Sequence, residues 1–342
     1  MKVGDFREYS GSAKCLLLGG YLVLDRENSA LVIAMKPKIT SRCTIVEGNN
    51  EFLISSYPSG FKNCIKMEEI PVLLKEGGRY DRFIIQSLNI FFYYFNIKSF
   101  PSLAINIQGD SEFYSSEGKT GLGSSSAITV SLVGALLSFF EKKDDFKDLL
   151  FKLSSLSHTF AQGNIGSCFD ISCAIYGSHI FKRPSPSLLT LDTISCQWDN
   201  ECYGLSACLG MTFYLVSTPF SGSSTPRMVS LFNQVLKVDK EIVCELKECV
   251  CKAMDLIKNG MINEIACSLK NVRYCLQKIS QKHHIPIVPE ELIPIIESVE
   301  SIKGVVAVVI PGAGGYDSFG VLTDSCFDIN TFDHKVLAFS SL

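Results

Sequence analysis

The sequence predicts an α+β protein that is divided into two domains. Short strand-like segments separated by glycine and asparagine clusters dominate the first half of the chain, and helical segments dominate the second half. The chain has 342 residues, and a typical domain has about 150 residues, so the length suggests two domains. A hydrophobic fraction of 46% is enough to fill packed cores, and it excludes an intrinsically disordered chain.

The first predicted domain covers residues 1–205. Its strand-like segments lie at residues 16–18, 30–35, 41–46 and 103–108. Its helical segments lie at residues 81–96, 124–140 and 145–162. The helix at 124–140 is apolar on most of its faces, which predicts that it is buried.

The second predicted domain covers residues 206–342 and begins with a strand at 209–217. Pro226 is expected to begin a long helix, because proline is tolerated in the first helical turn. The remaining segments are helices at 263–281 and 289–299 and strands at 305–310 and 318–323.

Charge and cysteine content exclude several classes of protein. A formal net charge of −3 argues against a nucleic-acid or anionic-membrane binder. The longest apolar stretch after the N-terminal one, residues 129–140, is much shorter than the ~20 residues that span a bilayer. The 14 cysteines form no Cys-x-x-Cys pair and follow no secretory signal. We therefore expect a cytoplasmic protein whose cysteines are reduced and serve as small apolar residues.

The most informative segment is EGKTGLGSSSA at residues 117–127, whose last four residues begin the predicted apolar helix. Glycines let the backbone approach a ligand closely, serines cap helices, and a helix N-terminus attracts anions. Together with Lys119, these features indicate a phosphate site. The segment is not a Walker A loop, because Phe113 stands where that pattern needs a glycine, and Ser126 breaks the dinucleotide-binding pattern. An ordinary serine-capped helix stays open as the alternative.

Three segments together resemble the motifs of the GHMP kinases. The loop at 117–127 resembles the ATP loop of that family, SAKCLLLGGYLVLD at 12–25 resembles its first motif, and PGAGGYD at 311–317 resembles its third. The resemblance covers nearly the whole chain. It implies a ribosomal-protein-like N-terminal domain with a left-handed β-α-β crossover, followed by a ferredoxin-like C-terminal domain.

Within that family, further segments are similar to phosphomevalonate kinases of the fungal type. They are GGYLVLD at 19–25, DSEFYS at 110–115, AQGNIGSCFD at 161–170 and STPRMV at 224–229. The similarity implies ATP-dependent phosphorylation of 5-phosphomevalonate to 5-diphosphomevalonate with Mg²⁺, in the mevalonate route to isoprenoids. The implied partner is this small molecule, and the implied assembly is a monomer or a homodimer.

The resemblance also implies roles for individual residues. Lys14 and Asp170 are expected to be catalytic, and Ser125 is expected to meet Mg²⁺. The residues expected to bind ATP are Lys119, Gly121, Leu122, Gly123, Ser124, Ser125 and Ser126. The residues expected to bind the acceptor are Gly20, Tyr21, Ser167, Ser223, Ser224, Thr225, Arg227, Gly314, Gly315 and Asp317. Because the acceptor is already an ionised phosphate ester, we expect Asp170 to orient it rather than to act as a strong base.

The sequence departs from the family pattern at five positions. They are Ser12, Ala13, Asn164, Cys168 and Tyr316, where the family commonly has proline, glycine, lysine, glycine and an unbroken glycine run. These departures keep open two alternatives, another GHMP small-molecule kinase such as a mevalonate kinase, or a ligand sensor of the same fold. His158 occupies the position of the Mg²⁺-binding glutamate of mevalonate kinases and is interpreted here as a packing or supporting residue.

Overall fold

The computed structural model describes residues 1–57, 60–71, 82–115, 118–140, 146–205, 210–220 and 225–342. The chain forms two compact units. The first unit comprises Met1–Lys14, Pro37–Gly177 and Pro184–Asn200, and the second comprises Cys15–Lys36, Ser178–Arg183 and Glu201–Leu342. The domain boundary at 205/206 stays a prediction.

The described residues contain strands and helices in both units, so the expected α+β fold is confirmed. In chain order the strands are β1 Phe6–Leu18, β2 Ala30–Asn49, β3 Glu51–Tyr57, β4 Phe61–Lys66, β5 Pro101–Gly109, β6 Tyr114–Ser115, β7 Gly118–Lys119, β8 His179–Lys182, β9 Glu201–Gly204, β10 Thr212–Ser217, β11 Val305–Val309, β12 Ser318–Thr323 and β13 Val336–Ser341. The helices are α1 Arg82–Tyr94, α2 Ser124–Leu137, α3 Lys147–Gln162, α4 Phe169–Tyr176, α5 Thr225–Val238, α6 Lys240–Lys258, α7 Ile262–His283 and α8 Ile293–Glu300.

The sheet of the first unit combines antiparallel and parallel pairs. β3 pairs antiparallel with β4 and parallel with β5, and β5 pairs antiparallel with the later part of β2. A parallel pair needs a crossover connection, and α1 lies in the chain between β4 and β5. The handedness of this crossover stays a prediction.

Helix α2 is the centre of the first unit, and glycines let strand β1 approach it closely. Every residue from Ser126 to Leu137 is buried. A Cβ on Gly134 would lie 2.5 Å from the ring of Tyr9, and one on Gly11 would lie 2.7 Å from the carbonyl oxygen of Ala127. β1 therefore lies directly against α2.

The second unit has a four-stranded antiparallel sheet in the order β11-β12-β10-β13. Helices α6 and α7 pack together, and α7 and α8 pack on β11. The beginning of β2 pairs with β8, and β8 pairs with β9.

Two expectations about the elements are wrong. The segments predicted at 30–35 and 41–46 form the single strand β2. The long helix expected from Pro226 is two helices, because Asp239 ends α5 and caps α6 by accepting a hydrogen bond from the Ile242 amide. Among the described residues, no helix is long and apolar enough to cross a membrane.

Candidate active site

The predicted phosphate loop ends in a left-handed turn that begins α2. Gly121 has φ of +75° and Gly123 has φ of +80°, a region that favours glycine. The first helical hydrogen bond runs from the Ala127 amide to the Gly123 carbonyl at 3.2 Å. The amides of residues 124–126 precede that bond, so helix geometry leaves them without a carbonyl within the helix. Amides in this position and the positive end of the helix dipole attract anions.

The serines of this loop have different roles. Ser126 is buried, and its hydroxyl donates to the Gly123 carbonyl at 2.8 Å, so this side chain stabilises the turn itself. Ser124 and Ser125 are partly exposed, and the buried side chain of Leu122 anchors the turn. The Thr120 hydroxyl is buried and has no hydrogen-bond partner within the described part of the chain. A bound phosphate would supply such a partner.

Lys14 is held against the loop by both ends of the residue. Its amide donates to the Leu122 carbonyl at 3.0 Å, and its Nζ donates to the Gly121 carbonyl at 2.9 Å. A Cβ on Gly123 would lie 2.8 Å from Lys14 Cε and would displace the lysine chain where it crosses the turn. Nζ also lies 5.5 Å from the ring centroid of Phe169. The ammonium group is therefore positioned where phosphate charge is expected.

His158 on α3 links the loop to Asp170 on α4. Its Nε2 lies 3.1 Å from Ser125 Oγ and 3.6 Å from Asp170 Oδ2. Gln162, one helical turn later, places its Nε2 3.4 Å from the same atom, and the Phe83 ring lies 5.0 Å from the imidazole. His158 is only 5% exposed, so packing holds the imidazole between the two candidate residues. This contact was not predicted, although the four-residue spacing of His158 and Gln162 placed them on one helix face.

The backbone before Asp170 retains a glycine-like conformation. Cys168 has φ of +65° although it is not a glycine, and it precedes the first turn of α4. Asp170 Oδ1 accepts a hydrogen bond from the Ile171 amide at 3.0 Å, which leaves Oδ2 to face His158. The predicted acceptor residue Ser167 is buried beside this turn. The departure at Cys168 therefore preserves the turn that directs Asp170.

A second group of predicted residues comes together within the second unit. A Cβ on Gly20 would lie 2.0 Å from the Gly312 carbonyl oxygen, so no side chain fits there. The Tyr21 hydroxyl donates to the Ala313 carbonyl at 2.5 Å, and its ring stacks on Phe232 with centroids 4.1 Å apart. Burial raises the pKa of Tyr21 above its usual value. The first and third motif segments thus meet at this point.

The other residues expected to bind the acceptor have fewer contacts with one another. Gly314 and Gly315 have φ of +66° and +102°, and the Gly315 amide donates to the Ile287 carbonyl at 3.0 Å. Asp317 is exposed, as are Thr225 and Arg227 at the start of α5. Ser223, Ser224 and the side chain of Lys119 lie outside the described residues. All of these assignments stay predictions.

The residues present fit a nucleotide and a hard cation. The two left-handed glycines, the amides that begin α2 and Lys14 suit a polyphosphate. In the described ranges, no group of three or more histidine, cysteine or acidic side chains could hold a metal by itself. A magnesium ion would therefore depend on an oxygen donor such as Ser125, on phosphate oxygens and on water, which matches its usual ligands.

Comparisons with known proteins agree with these observations. Residues 83–178 match the family described as GHMP kinases N terminal domain. A phosphomevalonate kinase of Aspergillus fumigatus is 25% identical over 427 aligned positions, which cover 94% of this chain and 88% of the relative. A phosphomevalonate kinase of Saccharolobus solfataricus is 32% identical over 226 positions, which cover 64% of this chain and 65% of the relative.

A solved structure shares the fold. The phosphomevalonate kinase of Streptococcus pneumoniae, in complex with phosphomevalonate and AMPPNP, superimposes with a TM-score of 0.75. The match covers 98% of this chain and 99% of that chain at 18% identity. Residues 83–178 thus match the N-terminal domain of the GHMP kinases, and the chain as a whole is similar in sequence to phosphomevalonate kinases and shares the fold of one of them.

Proposed function

We propose that this protein transfers the γ-phosphoryl group of ATP to 5-phosphomevalonate, producing 5-diphosphomevalonate and ADP. The observation that carries the proposal is the arrangement around the N-terminus of α2, where Lys14, the glycine-serine loop, His158 and Asp170 lie together. The relatives named phosphomevalonate kinase support the choice of acceptor.

The residues around α2 perform the two tasks that phosphoryl transfer requires, positioning and charge stabilisation. The amides at the start of α2 bind phosphate oxygens, and the Lys14 ammonium balances negative charge beside them. Mg²⁺, when bound with the nucleotide, supplies further positive charge on the phosphate oxygens. Ser125 is the residue we assign to contact that ion, because it is partly exposed at the helix start.

Asp170 acts on the acceptor side. A phosphate monoester has a second pKa near 6, so the attacking oxygen is already largely ionised at neutral pH. A strong base is therefore unnecessary, and the Asp170 carboxylate serves to orient the acceptor. One oxygen of the carboxylate accepts a hydrogen bond from the Ile171 amide, which fixes its position, and the other oxygen faces His158.

We assign the reaction to the cytoplasm. The cysteines that the structure describes are all free thiols, which suits a reducing compartment. The partner is the small-molecule acceptor, and the chain acts as a monomer or a homodimer.

An ADP-release assay with three acceptors tests the proposal. We expect turnover with 5-phosphomevalonate and at least ~100-fold lower kcat/KM with mevalonate or galactose, because a site built for a second anion loses binding energy when that phosphate is missing. Preferred turnover of mevalonate would assign the chain to another GHMP kinase. ATP binding without turnover of any acceptor would favour the ligand sensor.

A further inference from the structure

Two thiols on neighbouring helices of the second unit lie in direct contact, away from the residues used above. Cys249 on α6 and Cys275 on α7 place their Sγ atoms 3.4 Å apart. Both are free thiols, Cys249 partly exposed and Cys275 buried. Such a pair can serve as a metal site, a packing contact or a precursor of a disulfide.

A metal site is not supported by the surroundings. The nearest charged groups are Glu245, whose Oε1 lies 3.8 Å from Cys275 Sγ, and Lys278, whose Nζ lies 2.6 Å from Glu245 Oε2. The Lys278 ammonium therefore forms an ion pair with the only carboxylate next to the thiols among the described residues. Those residues contain no cluster of three side chains that could bind a metal. Oxidation to a disulfide is the chemistry that two adjacent thiols can perform without further ligands.

We propose that Cys249 and Cys275 form a reversible intrachain disulfide when the protein meets a hydroperoxide. A disulfide needs sulfurs about 2.05 Å apart, so the thiols must approach by about 1.3 Å from 3.4 Å. The change is small compared with the movement that a rotation about χ1 gives a sulfur atom.

The order of the two steps follows from exposure. The Cys249 sulfur attacks one oxygen of hydrogen peroxide, the O–O bond breaks, and the Cys249 thiol proton leaves with the departing hydroxide as water, so that a sulfenic acid is formed. The Cys275 sulfur then attacks the Cys249 sulfur, the S–O bond breaks, and the thiol proton leaves with the hydroxyl as a second water. The two thiols thus lose two electrons, and hydrogen peroxide is reduced to water. Burial, and then the contact with Cys249, raise the pKa of Cys275 to about 12, so Cys275 does not react first with the peroxide and its proton must leave together with the hydroxyl in the second step.

The disulfide would constrain the wall of a small cavity. Leu246 and Val250 on α6 and Val272 and Leu276 on α7 line a cavity of about 20 Å³ that Gly20 and Tyr21 also border. Cys249 and Cys275 are the immediate chain neighbours of two of these lining residues. The disulfide therefore ties together the two helices that support the Gly20–Tyr21 segment.

Peroxide treatment followed by mass spectrometry tests the proposal on the full chain. We expect a mass loss of about 2 Da, a crosslinked peptide that contains Cys249 and Cys275, and recovery of both thiols with dithiothreitol. We also expect Tm to rise by about 3–6 °C in the oxidised protein, because the crosslink limits the unfolded chain.

Substituted proteins provide the control. Cys249→Ser should abolish the crosslink, whereas Cys251→Ser, on an exposed position of the same helix, should leave it intact. Peptide mapping of the unsubstituted protein is decisive even if Cys275→Ser fails to fold. Detection of Cys249 sulfinic acid with no crosslink to Cys275 would overturn the proposal.

Discussion

The Nε2 atom of His158 lies 3.1 Å from the hydroxyl oxygen of Ser125. In the tautomer that carries its hydrogen on Nδ1, the imidazole accepts the Ser125 hydrogen at Nε2, and the serine lone pairs are directed away from the histidine. The same Nε2 faces Asp170 Oδ2 at 3.6 Å, so one ring atom is adjacent to both candidate ligand residues. His158 thus contacts both residues, and its hydrogen bond makes it a positioning residue for the phosphate-loop serine.

Replacing His158 should impair catalysis more than nucleotide binding. We expect His158→Ala to lower kcat by about 10–100-fold, the usual size of the effect when a supporting hydrogen bond to a ligand residue is removed. The KM for ATP should change less than ~3-fold, since the loop amides bind the phosphates. His158→Gln, which keeps a polar atom at that site, should restore part of kcat. Steady-state kinetics with both substrates measures these effects.

Ser155→Ala is the matched control for His158. Ser155 lies on the same helix, and its buried hydroxyl has no partner among the described residues, so its removal should leave both kcat and Tm nearly unchanged. If His158→Ala lowered Tm but not kcat, His158 would be a packing residue only.

Asp170 should contribute to turnover without contributing to nucleotide affinity. We expect Asp170→Asn to lower kcat by about 10²-fold, the effect of misplacing a reacting group whose orientation the carboxylate controls. Asparagine keeps an oxygen for the Ile171 amide, which now bonds Asp170 Oδ1 at 3.0 Å, so α4 should stay folded. Calorimetric titration with a non-hydrolysable ATP analogue should give an unchanged Kd. A normal kcat would reduce Asp170 to its contact with Ile171.

Lys14 should be required both for the conformation of the phosphate loop and for the positive charge beside it. Methionine preserves the aliphatic chain that crosses Gly123 but removes the hydrogen bond from Nζ to the Gly121 carbonyl at 2.9 Å. We expect Lys14→Met to lower kcat/KM by about 10²–10³-fold, the effect of losing one preorganised donor to transferring charge. Lys36→Met, which removes an exposed ammonium lying 4.1 Å from the Phe339 ring centroid, is the control and should retain activity. Equal losses in the two variants would mean that the Lys14 charge has no specific role.

The sequence predicted a helix or strand well where the residues that mark its start or its apolar pattern were all present. The segment at 318–323 matches β12, and the helix expected from residue 124 begins there because glycines and serines mark its start. β2 was divided in two because Pro37 and two lysines interrupt the apolar pattern. In the structure Met35, Pro37 and Ile39 are buried and Lys36 and Lys38 are exposed, so the alternation of a strand continues through the proline.

The site was predicted only as far as its motifs extend. The glycine-serine loop, Lys14 and Asp170 belong to sequence motifs, and their positions around α2 fit the predicted phosphate site. The contact of His158 with Ser125 joins residues 33 positions apart, and the contact of Cys249 with Cys275 joins residues 26 apart. Such contacts depend on helix packing, which periodicity within a single helix does not reveal.

A methyl group at Gly20 should destabilise the second unit. A Cβ there would lie 2.0 Å from the Gly312 carbonyl oxygen, and backbone on both sides prevents a cheap adjustment. We expect Gly20→Ala to lower the free energy of unfolding by about 2 kcal/mol or more. Gly204→Ala is the control, because nothing lies within 4 Å of a Cβ at Gly204, which lies in the same unit. Thermal unfolding of the two variants provides the measurement, and equal Tm values would show that Gly20 has room for a side chain.

Stability in acid should depend on Asp239, which caps α6. Lys282 Nζ lies 2.6 Å from Asp239 Oδ2 and His283 Nε2 lies 2.9 Å from it, and these hydrogen bonds lower the pKa of Asp239 to about 2. An aspartate in the unfolded chain has a pKa of about 3.9. Because folding lowers this pKa, the stabilisation is complete above the unfolded-state value and is lost as the pH falls through the folded-state value.

Asp239→Asn isolates this effect, since asparagine still caps a helix but carries no charge. We expect the variant to have a lower Tm than the unsubstituted protein by a constant amount above about pH 5. The difference should shrink between about pH 4 and pH 2, where the unsubstituted carboxylate becomes protonated. Asp255→Asn, at an exposed position of the same helix, should show no such dependence. A difference in Tm that stayed constant down to pH 2 would mean that the Asp239 side chain stabilises α6 by capping geometry and not by its charge.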